Sequence, residues 1–116
     1  MPDRLRLREL VHAADPTFRR AYELLRRTFP PSELVASTEF LRTLRERAAG
    51  VWTDFLWHMV VGERGQTLLG CATGSYLGSL NVGLVGYLAV RSGLRSDGSL
   101  RCSLLTFCSM PRSFCT

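Results

Sequence analysis

The chain has 116 residues, 46% hydrophobic and 22% charged, the size and balance of one domain around one core, with no room for a second. Its basic residues are all arginine and outnumber the acidic ones, giving a formal charge of +5. Such an excess suits anionic partners, phosphate above all, but charge alone does not separate nucleic acid from a phosphorylated small molecule.

The opening stretch, MPDRLRLREL, lacks the apolar core of a secretory signal, so a cytoplasmic protein is expected. Leu5 and Leu7 alternate with Arg4, Arg6 and Arg8, the period of a half-buried strand that runs out at Leu10 and Val11. Asp15 offers an N-cap with Pro16 at the first helical position. Phe18, Tyr22, Leu25 and Phe29 then recur at helical spacing, opposite the solvated Arg19, Arg20, Glu23, Arg26 and Arg27. This helix stops at Pro30 and Pro31. Ser32 is read as the cap of a second helix with the stripe Leu34, Leu41, Leu44 and Ala48, ending at Gly50.

Residues 55–61 are aromatic and branched, 62–65 supply a turn, and 67–73 form the other arm of a hairpin. Residues 76–81 connect to a fourth strand, Val82 to Val90, where Gly83 and Gly86 mark a bulge or a close backbone approach. That apolar run falls short of the ~20 residues a membrane span needs, so no membrane partner is expected. The order of strand, two helices and three strands predicts an α+β fold with a mixed, mostly antiparallel sheet.

Cys71, Cys102, Cys108 and Cys115 show no CxxC spacing and no nearby histidine pair, so free thiols are expected and a zinc site is not. His58 reads as a packed, hydrogen-bonded strand residue and His12 as exposed. Trp52, Trp57, Tyr76 and Tyr87 read as core ahead of pocket, and Glu39 and Asp54 as solvated charges.

The stretch GYLAVRSGLRSDG, residues 86–98, runs a buried strand into arginine, serine and glycine. Successive backbone amides after such a strand can converge on an anion, especially where they lead into a helix N-terminus. An ordinary strand-to-helix turn favours the same residues. Together with Ser99 and Leu100, the stretch resembles the core motif of the GNAT superfamily of N-acetyltransferases, and the order of elements upstream is also that family's.

The resemblance implies that Leu88, Ala89 and Val90 position the thioester arm of acetyl-coenzyme A, while Arg95, Ser96, Gly98 and Ser99 cradle its phosphates. It implies acetyl transfer to an amine of an acceptor that the sequence does not identify. Backbone amides would stabilise the developing oxyanion. The match departs at Ser92, where the family has proline, and at Leu100, which replaces the second glycine and is expected to obstruct the phosphates. Asp97 sets a negative charge beside them. Gly86 offers no carboxylate as a base, so no catalytic residue is assigned.

Residues 101–116 are rich in Cys, Ser and Phe, and none of the family's later elements is recognisable in them. The expectation is a partial domain over 1–100 with an atypical tail over 101–116, truncated after strand four and impaired in activity. Strand four is then an apolar edge open to pairing with a second copy as a homodimer. The competing readings are a basic, non-catalytic binding module that contacts nucleic acid, ranked below the cofactor reading, and an inactive remnant held in a complex.

Overall fold

A computed structural model of the chain describes residues 4–51, 55–93 and 98–109. Four antiparallel strands, β1 (Leu5–Glu9), β2 (Phe55–Arg64), β3 (Thr67–Leu77) and β4 (Val82–Val90), lie side by side in chain order. Three helices, α1 (Thr17–Thr28), α2 (Ser37–Ala48) and α3 (Gly98–Ser109), complete an α+β fold.

Each helix is built from local signals. Asp15 caps α1 as its sequence predicts: its Oδ1 accepts the Thr17 N–H at 2.9 Å, and Pro16 already has helical dihedrals. The second helix differs from the sequence reading. Ser32 does not cap it; residues 31–34 form a turn in which the Pro30 carbonyl accepts from Glu33 and Leu34, and α2 starts at Ser37. Leu34 therefore lies off the helix, and the buried α2 residues are Phe40 and Leu44. Gly50, at φ 71°, ends α2: Val51 N–H reaches the Glu46 carbonyl and Gly50 N–H that of Arg47, the paired closure that favours glycine.

The two sheet faces have separate cores. Leu10, Phe18, Ala21, Leu25, Phe40, Leu44, Met59, Val61, Cys71 and Ala89 join α1 and α2 to one face. Val60, Leu69, Ala72, Val90, Leu100 and Leu104 join α3 to the other, with Leu5, Leu7 and Leu88 packed around them. Alternation along β2 explains the division, since Met59 and Val61 point one way and Val60 the other.

The second core draws on the chain on both sides of residue 100: α3 spans Gly98–Ser109, and Leu100 and Leu104 are 3% and 0% exposed. These leucines sit one turn apart, so they share a face. They lie over the side-chain-free surface of Gly62 and Gly70, where a Cβ on Gly70 would stand 2.7 Å from a Leu104 methyl.

Of the two glycines read as bulge signals, Gly86 marks a bulge and Gly83 pairs in register with Tyr76. Register shifts at Thr73/Gly74, leaving Gly86 as the extra residue of β4. A Cβ at Gly86 would meet Thr73 Oγ1 at 2.8 Å, the oxygen that accepts the Tyr87 N–H at 3.0 Å. A hairpin turn with Gly65 at φ 62° links β2 to β3, and Asn81 at φ 51° closes the one before β4.

Candidate functional site

β4 is an edge strand. It pairs with β3 on one side, and among the described residues no strand lies on the other. Near its end, Tyr87 N–H donates to Thr73 Oγ1 and Arg91 N–H to the Leu69 carbonyl at 2.8 Å, both toward β3. A strand alternates its hydrogen-bonding direction with each residue, so Ala89 shares this side and Leu88 turns its N–H and C=O to the outer edge.

Beside that edge is a cleft of 210 Å³ lined by Thr28, Leu88, Val90 and Arg101. Thr28 comes from the end of α1 on one face and Arg101 from the first turn of α3 on the other, so both helical layers reach around the end of β4. The Thr28 hydroxyl is engaged with the Leu24 carbonyl at 2.8 Å, whereas Arg101 is exposed. The first turn of α3 has no acidic residue; the acid that precedes it in the sequence, Asp97, lies outside the described residues.

The residues singled out by sequence separate here. Leu88, Ala89 and Val90 end β4, but their side chains divide between the two cores: Ala89 faces α1 and α2, while Leu88 and Val90 face α3. Gly98 starts α3, is exposed, and has no atom within 4 Å of where a Cβ would stand. Ser99 follows in the same turn. Arg95, Ser96 and Asp97 lie outside the described residues, as do Trp52 and Asp54. Leu100 points into the α3 core and not toward the helix start.

The other candidates read from sequence are structural. Tyr76 is buried and donates to Asn81 Oδ1 at 2.6 Å, bracing the turn before β4. Trp57 packs at a tilt and Tyr87 edge-on against Phe40, and Glu39 pairs with Arg42 on the exposed face of α2. His12 is exposed. Cys71 is buried and Cys102 exposed, and among the described residues no cluster of His, Cys, Asp or Glu is placed to hold a metal. No described helix is long and apolar enough to cross a membrane.

Two features go beyond the sequence reading, which had His58 packed and hydrogen-bonded but named no partner for it. Thr28 and Arg101 line the cleft although each is far from, or just beyond, the motif; only a basic residue beside Gly98 hinted at the second. The other is a buried network. Glu9, the one acid on β1, takes hydrogen bonds from Arg47 of α2 and from His58 Nδ1, the latter at 3.1 Å. His58 is 0% exposed and its Nε2 has no partner among the described residues. With a carboxylate as acceptor, Nδ1 carries a proton and donates it to Glu9.

The electrostatics near β1 are better compensated. Arg8 donates to Asp15 at 2.6 Å, to Glu63 at 3.1 Å and to Thr17 at 2.8 Å. Those bonds to Asp15 and Glu63 raise its pKa above the ordinary guanidinium range. Burial pushes the Asp15 carboxyl up, but the hydrogen bonds from Arg8 and Thr17 outweigh it and hold the group below the usual carboxylate value. A wider groove, 580 Å³, lies between the start of α1 and α2, with Phe18, Arg19, Tyr22 and Leu41 in its wall and no residue of β4. No family model matches the chain, and neither a curated protein nor a solved structure matches it.

Proposed function

We propose that the chain is an acyl-coenzyme A-dependent N-acyltransferase domain of GNAT type, with acetyl-coenzyme A as donor and a primary amine as acceptor. One observation carries the reading: β4 ends at an open edge beside a narrow cleft, and the first turn of the helix that begins at Gly98 borders that cleft. The strand, two-helix, three-strand, helix order supports it.

An extended amide-bearing arm fits an edge strand because it can hydrogen-bond outward backbone groups like an added strand, here those of Leu88. Arg101 and the N-terminal amides of α3 supply positive potential for phosphate at the far end. In the reaction, the acceptor nitrogen attacks the thioester carbonyl, the C–S bond breaks, the coenzyme thiolate leaves, and the amine gives up a proton. The chain contributes positioning and dipoles; no side chain is assigned to the proton transfer.

Calorimetric titration and thermal unfolding with coenzyme A test this proposal. Ligand at about 100 times its dissociation constant should stabilise the fold by ~2.7 kcal/mol. Arg101→Glu should weaken binding by about tenfold or more while leaving the ligand-free melting point unchanged, because the side chain is exposed. Absence of any ligand-induced shift at millimolar coenzyme A would overturn the reading. Thiol release with a panel of amines then identifies the acceptor class.

A further inference from the structure

We infer that the first half of β4 is a self-recognition edge, through which two copies of the chain pair antiparallel about a two-fold axis at Leu84. Among the described residues, seven large hydrophobics are exposed, and four of them, Leu80, Val82, Leu84 and Val85, lie on β4 and the turn before it. Successive residues of a strand point to opposite faces. Exposure of 53% at Leu84 and 48% at Val85 therefore means that neither face is covered there. Residues 82–86 are all exposed, whereas Ala89 and Val90 are buried.

The sequence of this half selects its own copy. With Leu84 on the axis, Val82 falls opposite Gly86, Gly83 opposite Val85, and Leu84 opposite Leu84. Each valine thus covers a residue without a side chain, and the central pair is apolar, the kind of cross-strand match that fixes register. No residue from 65 to 90 is charged, so the edge offers a foreign chain no charge to read.

Repulsion between two basic molecules is minimised by the same geometry. Arg4, Arg6 and Arg8 belong to or adjoin β1, the opposite edge of the sheet. Three strand spacings of ~4.8 Å separate the two edges, so β4 pairing leaves the arginines on the outer rims of an eight-stranded sheet. The contact is centred on 82–86, and the inference does not rest on the proposed donor cleft.

Sedimentation velocity between about 1 and 200 μM in 0.15 M salt should show a reversible dimer of twice 13.0 kDa. Leu84→Lys places two ammonium groups face to face on the axis and should raise the dimer dissociation constant at least tenfold. Val11→Lys, at an exposed valine away from β4, should leave it unchanged. Circular dichroism reports whether each variant folds. Should Leu84→Lys fail to fold, amide exchange of the unaltered chain decides: the amides of 82–86 should exchange more slowly as concentration rises. A monomer across the whole range, growth into larger assemblies, a Leu84→Lys dimer as tight as the parent, or concentration-independent exchange would each overturn the inference.

Discussion

The two edges of the sheet meet the same hazard with different means. On β1, arginines at alternating positions line the rim, and Arg8 is tied by ion pairs to Asp15 and Glu63. Charge of this kind discourages another strand from docking. The β4 edge has no charge at all; its second half is anchored by packing against α1 and α3, and its first half is bare. An edge stabilised by ion pairs is closed to partners, while one stabilised by packing stays open wherever the packing stops. The candidate site and the self-recognition edge both lie on the second kind.

Substitutions can break or sharpen this contrast. The largest loss should come from Leu104→Ala, which removes the contact of α3 with β3 and β4 and should cost about 2–5 kcal/mol in urea unfolding. Gly86→Val should cost about 1–3 kcal/mol, because its Cβ collides with the Thr73 hydroxyl that holds Tyr87. On the charged edge the effect should be smaller. Arg8→Ala should cost about 1–2 kcal/mol, since its partly exposed bonds are screened. If Arg8→Ala proves costlier than Leu104→Ala, the contrast is reversed.

The Asp15 carboxyl gives the same comparison a pH axis. Its folded pKa is depressed, so its contribution is complete above the unfolded carboxylate value near ~4 and fades as pH falls through that value and below it. Unfolding midpoints measured from pH 6 to pH 3 should therefore decline less steeply for Asp15→Asn than for the parent. At the small end, the Glu23 carboxyl is held low by Arg26 on a fully exposed helix face, and Glu23→Gln should leave the melting midpoint unmoved.

Much of this fold was legible because its signals are local. Asp15 and Pro16 announced α1, the Leu and Arg alternation announced β1, and Gly86 announced the bulge, each within a few residues. Misreadings arose where distant residues decide. Pro30 and Pro31 followed by Ser32 resemble a helix start. The segment instead forms a turn, held where Tyr87 donates to the Glu33 carbonyl and accepts from Val35, and where Tyr22 donates to the Val35 carbonyl. Helix α3 carried no charge pattern, and only the cap-type residues Ser96 and Asp97 before it hinted at a helix start. Its stability comes from two leucines set over glycines on strands far away in sequence, and short helices owe most of their stability to such packing. For the candidate site, the motif pointed to the end of β4 and the start of α3, but Thr28 and Arg101 needed the folded chain to be found.

The Tyr87 phenol has an experimental consequence. It ties the loop after α1 to β4 by two hydrogen bonds, and its ring touches Phe40, which in turn packs at a tilt against Trp57. Displacement of the edge strand is therefore relayed to an indole on the second strand, where emission colour and quenching register it. Titrations of donor, acceptor or partner can thus be followed optically without attaching a dye.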